Sequence, residues 1–217
     1  MRIKFTFLML ALTASAMSFA QISASDFSIG VAGNYTMYKG DFQKSTPGIK
    51  LELGYGVQSK VGFTLGFTKG FAIKTPSEIN SSNGLGDSKT TSSEIKTSFS
   101  TVSLNVNYRF IGDEETLLSV YAPVGASFVM AKFKETPNEA IPAGYTAMDQ
   151  MEPGKESGFT INGGLGVMYK IGAPMIFAEA NVALPANRTG DTYVENYIPA
   201  HFYFNVGVRI GFGGSNE

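Results

Sequence analysis

Lys50, Glu52, Arg109, Lys170, Glu179 and Arg209 each fall on the polar side of a segment whose alternate residues are apolar. Charges placed like this either neutralise one another in a packed interior or line a polar conduit. An unpaired buried ion is very costly. The six are therefore expected to form a structural charge network in the interior. Glu179 lies on a segment flanked by those of Lys170 and Arg209, and Glu52 is placed to answer Lys50 or Arg109.

Other chemistry finds little support. His201 is the one histidine and there is no cysteine, which rules out a histidine metal cluster, a thiolate site and a disulfide framework. A nucleophile needs a base within hydrogen-bond reach, and no serine stands at motif spacing from His201. The run Gly163–Gly164–Leu165–Gly166 lacks the lysine and the following helix of a phosphate loop. The acidic residues Asp87, Glu94, Glu135, Glu139, Asp149, Glu152, Glu156, Asp191 and Glu195 lie in polar stretches without calcium-loop spacing, and a solvated surface is expected. No catalytic, cofactor-binding or metal-binding residue is assigned, and no cofactor is expected. A net charge of -1 gives no reason to invoke nucleic acid.

The elements that hold these residues are strands. From Phe202 to Phe212, residues Phe202, Phe204, Val206, Val208, Ile210 and Phe212 alternate with Tyr203, Asn205, Gly207, Arg209 and Gly211. Period-two alternation puts one set on each face of a strand. Similar patterns occur near 27–38, 48–58, 61–71, 95–110, 116–133, 159–171 and 176–184, which predicts eight strands. Pro123 interrupts the fifth, where a bulge is expected. Short turns near 59, 113 and 173 alternate with longer connections. Residues 75–94 and 134–157 read as long polar loops without periodicity, and Asn187–Tyr197 as a third.

Composition decides which face is wet. Only 16% of the chain is charged, and glycine is commoner than charge on the polar faces. A soluble barrel would turn that face to water, where about 25–35% charge is usual. In a narrow membrane barrel the same face points into a crowded lumen and the apolar face meets lipid. Glycines at 62, 66 and 70 then make space inside. Aromatic residues near strand ends (Tyr35, Tyr38, Tyr55, Phe71, Phe99, Tyr108, Phe110, Tyr169, Phe202 and Phe212) are expected in interfacial girdles.

The amino terminus reads as a cleavable signal peptide over residues 1–20. Arg2 and Lys4 precede an apolar run from Phe5 to Ala16, and Ser18–Phe19–Ala20 forms a small–x–small site before Gln21. Residues 21–217 then form one barrel domain, with strands over about 27–212.

Two resemblances follow. Asn205, Gly207, Ile210 and Phe212 resemble the C-terminal assembly signal of bacterial outer-membrane barrels, here followed by five further residues. Residues 27–212 as a whole resemble the small eight-stranded barrels of the OmpA/OmpX kind. The resemblance implies an all-β, antiparallel, up-and-down transmembrane barrel in a Gram-negative outer membrane, monomeric, with both termini periplasmic. It implies outer-membrane lipids, the barrel assembly machinery and periplasmic chaperones as partners. It also implies a structural or surface-interaction role rather than an enzymatic one, with loops 75–94 and 135–156 meeting an external ligand. No peptidoglycan-binding domain is expected after the barrel. The alternatives are a lipid A deacylase-like enzyme using His201, whose His–x–Ser pattern is broken here by Tyr203, a secreted lipocalin-like carrier with the faces reversed, and a narrow pore.

Overall fold

The computed structural model describes residues 27–39, 44–58, 60–112, 116–171, 174–186 and 198–212. The predicted signal peptide, the loop at 187–197 and the residues after Phe212 lie outside the described residues, as do parts of the turns near 59, 113 and 173. Ten strands are described: β1 Phe27–Tyr38, β2 Ser45–Gln58, β3 Val61–Gly70, β4 Ile73–Ser82, β5 Ser88–Ile111, β6 Leu118–Pro137, β7 Thr146–Ala147, β8 Gly154–Lys170, β9 Pro174–Pro185 and β10 His201–Phe212. The ladder runs β3-β2-β1-β10-β9-β8-β6-β5, and β5 pairs back onto β3. Eight antiparallel staves thus close on themselves. Strands β4 and β7 extend the sheet outside the ring.

The faces are inverted relative to a soluble protein. On β10, Val206 is 62% exposed while its neighbour Asn205 is fully buried. Outward positions carry Ile29, Leu51, Leu65, Leu104, Leu165 and Ile176, all exposed, and inward positions carry Asn34, Thr64, Asn105, Asn162 and Asn181, all buried. This arrangement is stable only where the surroundings are apolar, and it excludes the lipocalin-like reading. Ring closure completes the argument, because an unpaired backbone group in hydrocarbon costs several kcal/mol. Phe202 to Phe212 spans roughly 33 Å of strand at ~3.3 Å per residue. Tilted by about 40°, it matches the ~25 Å apolar band of such barrels.

Aromatic rows mark both borders of the band. Phe212 faces Phe27, Phe27 faces Tyr55 and Tyr55 faces Phe63 near the short-turn rim. Phe67, Val102, Phe128 and Phe159 form a second row towards the long-connection rim. Two predicted girdle residues do not face outward. Tyr38 and Phe99 point inward, where their rings stack at 4.3 Å, because each lies one step out of parity with the lipid-facing residues of its strand.

The predicted loop at 75–94 is largely strand, whereas that at 134–157 is strand at its two ends and at Thr146–Ala147 and irregular between. Residues 73–82 and 88–97 form a hairpin beyond the barrel, β6 runs on to Pro137, and β8 begins at Gly154. Outside the lipid the outward face carries Lys74, Glu78, Lys96 and Lys134, so the alternation has no apolar set to betray it. The hairpin turn is built by Asn83, whose side-chain oxygen accepts the Leu85 amide (2.9 Å), and by Gly84 and Gly86 at φ +75° and +99°. Only glycine adopts such angles readily.

Nor does Pro123 make a bulge. It stays opposite Asn107, and the β6–β8 ladder keeps one register from Tyr121↔Gly166 to Val124↔Gly163. Proline removes a donor without shifting the strand. The irregularities fall instead at Gly56/Gln58 and Arg109/Ile111, beside short turns.

Candidate functional site: a charge layer under an aromatic lid

Four of the six predicted interior charges meet in one buried layer. Lys50 bridges Glu52 (2.8 Å) and Glu179 (3.1 Å), and Arg209 donates from Nε to Glu52 Oε1 (2.8 Å) and from a terminal nitrogen to the same oxygen. Two cations face two carboxylates, so the layer is neutral. Tyr121 donates its hydroxyl to Glu179 (2.9 Å), and the amide of Asn205 donates to the other oxygen of Glu179 (2.9 Å). Asn34 in turn donates to Asn205 (2.8 Å). Arg209 and Lys50 also lie over the Phe177 ring, at 4.9 and 5.8 Å from its centre. A guanidinium or ammonium at that distance is attracted by the ring face.

Arg109 and Lys170 stand elsewhere. Arg109 sits at the short-turn end of β5, where its amide donates to the Lys60 carbonyl (2.8 Å), and the Lys170 amide donates to the Leu117 carbonyl (2.7 Å). Their parity is inward, but their depth is that of the rim.

Glycines make the layer possible. Gly30 faces both Arg209 and Glu52 across the ladder, so the two side chains reach each other over the gap it leaves. Gly66 faces Glu52 from the other side and leaves room for the Lys50 stem. Gly166 lies between Tyr121 and Glu179 and gives the phenol ring its path. Residues of the resembled assembly signal also serve the interior: Asn205 is a partner of Glu179, and Gly207 packs against Val31 and Ala32 where a side chain would not fit. Ile210 and Phe212 face outward.

On the long-connection side of this layer lies a cavity of about 30 Å³, lined by Asn34, Thr36, Lys50, Ser103, Asn105 and Ser127 among others. It has room for about two waters. Tyr38 and Phe99 line it and belong, with Ile73, Val129, Ala131 and Ile198, to an apolar cluster that forms a lid on that side. His201 belongs to this lid. Its ring lies 5.3 Å from Tyr38 and 5.9 Å from Tyr203, and Nδ1–H donates to the Pro199 carbonyl (3.0 Å). On the short-turn side Tyr121, Met168, Phe177 and Met175 pack below the charges. Among the described residues no three His, Asp or Glu side chains gather as a metal site.

Residues 6–209 match the family described as outer membrane protein beta-barrel domain. The chain belongs to that family. It is an outer-membrane β-barrel, of the small OmpA/OmpX-like and porin-like architecture. Among solved structures it is similar to a major outer membrane protein from Thermus thermophilus, at 13% identity and a TM-score of 0.60, over 88% of this chain and 100% of that one. Neisserial surface protein A aligns at 13% identity and a TM-score of 0.53, over 88% and 99%. The N-terminal β-barrel domain of Pseudomonas aeruginosa OprF aligns at 13% identity and 0.50, over 85% and 97%. At such identities these likenesses establish the fold alone. No curated protein matches the sequence.

Two features of this outer-membrane barrel escaped the sequence. Tyr121 and Phe177 were given no role from the sequence, although their inward parity places them in the interior. The second is the outer sheet. Met148 donates its amide to the Asn80 carbonyl (2.8 Å), Asp149 accepts from the Asn80 amide (2.7 Å) and side chain (2.8 Å), and Ser81 and Ser82 pair with Ala147 and Thr146. Glu135 accepts hydrogen bonds from the Ser93 hydroxyl and the Met151 amide (2.8 Å). Burial raises the Glu135 pKa, but these bonds and one from Ser77 outweigh it and hold the carboxyl below its ordinary value.

Proposed function

We propose that this outer-membrane barrel is a platform rather than a conduit or an enzyme. Its termini would face the periplasm, and the β4–β5 hairpin with its docked β7 segment would meet an external partner. The supporting observation is the pairing of a closed lumen with an ordered extension. Glu52 is 2% exposed within the charge layer, while β4, β5, β6 and β7 continue as hydrogen-bonded sheet beyond the lipid-facing band. Ordered extensions lose little entropy on binding. In this reading the assembly machinery and periplasmic chaperones bring the chain to the membrane, and Asn205, Gly207, Ile210 and Phe212 form the recognised strand. The lipid-modifying alternative draws no support from His201, which points into the lid.

Protease treatment of intact cells, with conductance measured on purified protein in planar bilayers, tests the platform. Cleavage confined to 83–87 or 138–153, with no unit conductance steps, is the expected result. Cleavage from outside at the short turns, or regular steps from the wild-type protein, overturns it.

A further inference from the structure

Asparagine stands directly before glycine twice in the chain, at Asn83–Gly84 and at Asn162–Gly163, and the fold treats the two pairs in opposite ways. Such a pair can cyclise, because glycine has no side chain to hinder attack by its nitrogen on the asparagine Cγ. Asn162 is 3% exposed, its Oδ1 accepts the Thr160 hydroxyl (3.0 Å) and its Nδ2 donates to the Ser127 hydroxyl. Gly163 is held in the β8 ladder between Val124 and Val182. Reaction there must wait for a paired strand of a closed barrel to open.

Asn83 stands between β4, which ends at Ser82, and β5, which begins at Ser88, so no ladder holds Gly84. Residues Gly84 to Asp87 are exposed and water reaches them. The Asn83 Oδ1 accepts the amides of Leu85 (2.9 Å) and Asp87 (3.2 Å). Two N–H donors on one carbonyl oxygen stabilise the negative charge that gathers there when a nucleophile adds to its carbon. The Gly84 amide donates to the Ser82 hydroxyl (3.2 Å), which directs its proton away from Asn83. Nδ2, the nitrogen that would leave, donates to the Asp87 carboxylate (3.0 Å). A carboxylate there favours the positive charge that nitrogen takes up as it departs.

We propose that Asn83 is a self-modification site at the tip of the β4–β5 hairpin. The Gly84 nitrogen gives its proton to solvent base and bonds to Asn83 Cγ; the Cγ–Nδ2 bond breaks, ammonia leaves and a cyclic imide remains. Water then opens the ring. Cleavage of the bond between nitrogen and Cγ leaves aspartate, and cleavage of the bond between nitrogen and the main-chain carbonyl carbon leaves isoaspartate. Water is the sole co-reactant. Either product sets a carboxylate beside Asp87, where an amide donated before, and isoaspartate also inserts a side-chain carbon into the backbone. The tip gains a negative charge and loses the bonds that shape its turn. This chemistry is independent of the platform reading.

Peptide mapping by mass spectrometry tests it, on the folded barrel kept in detergent at mildly alkaline pH in heavy-oxygen water. The peptide that holds Asn83 is expected to exchange its amide nitrogen for labelled oxygen, on the order of 100-fold faster than the peptide that holds Asn162. Enzymatic methylation of isoaspartate identifies the rearranged linkage. Unfolding in urea should speed labelling at Asn162 and not at Asn83. Gly84→Ala, whose methyl group crowds the attacking nitrogen, should lose the label at Asn83; a retained heat-dependent mobility shift verifies that the variant is folded. The wild-type comparison of the two sites needs no variant. The proposal is overturned by no label at Asn83, by equal rates at the two sites in the folded barrel, or by a rate at Asn83 that rises on unfolding, which would show that the turn restrains cyclisation. Unchanged labelling in folded Gly84→Ala also overturns it, since the side-chain amide would then be hydrolysed directly.

Discussion

The Cγ of Glu52 lies 2.7 Å from the point where a side chain on Gly30 would begin. The glycine is therefore part of the ion pair, since Glu52 crosses it to reach Arg209. Gly30→Ala is expected to push the carboxylate aside and destabilise the barrel by about 1–3 kcal/mol, as overpacking does. Gly33→Ala, at a lipid-facing position whose nearest atom is 3.9 Å away, is the matched control and should be neutral. Urea unfolding followed by gel mobility measures both. Equal stability of the two variants would mean that Glu52 yields freely.

Glu52 holds two cations, so its loss leaves Lys50 and Arg209 to share Glu179. Glu52→Gln is expected to destabilise by about 3–5 kcal/mol, the usual result of breaking a buried pair. In Glu52→Gln/Arg209→Gln one cation is removed with its partner, and the double variant should be less destabilised than the sum of the singles. Strict additivity would show that the two residues do not interact in the folded protein.

The barrel was legible because lipid writes a strong contrast into each strand: Phe, Val and Ile alternate with Gly, Asn and Arg from Phe202 to Phe212. Where the same strands leave the lipid, water removes that contrast. In β4 and the first half of β5, serine and threonine make up most of the inward side and lysine and glutamate stand outward, so only Ile73, Ile79 and Ile95 hint at a buried side. Parity told inward from outward for Lys50, Glu52, Glu179 and Arg209 but not depth, which is why Arg109 and Lys170 were grouped with them. Depth depends on strand tilt and on register across the ring, which residues distant in sequence determine together. Tyr38 and Phe99 show the reverse error, since their position near strand ends outweighed their parity.

The aromatic lid is expected to control access to the cavity above the charges. Phe99 is 2% exposed and stacks on Tyr38, so Phe99→Ala should leave a hole and destabilise by about 3–5 kcal/mol. The absence of native cysteine allows a clean probe: Ser103→Cys, on the cavity wall, should react slowly with a small thiol reagent and much faster once Phe99 is alanine. Conductance should stay at background in Phe99→Ala, because the Lys50–Glu52–Glu179–Arg209 layer lies below. Equal labelling rates with and without Phe99 would assign the barrier to another part of the chain.

Glu135 ties residues 146–151 to the outer sheet, and its titration gives the tie a pH dependence. Its folded-state pKa is depressed, so the carboxylate form is the one that accepts the Ser93 and Met151 bonds. A depressed carboxylate stabilises fully above its unfolded pKa of about 4.3, and that contribution fades as pH falls through the lower folded value. Hydrogen exchange at the Met151 amide should therefore show constant protection between pH 7 and 5, corrected for intrinsic rates, and lose it below about pH 4. Glu135→Gln should flatten the profile and lower protection at neutral pH, because a neutral amide accepts the Met151 bond more weakly. A wild-type profile that stays flat down to pH 3 would show that Asp149 and the β7 pairing hold the segment without Glu135.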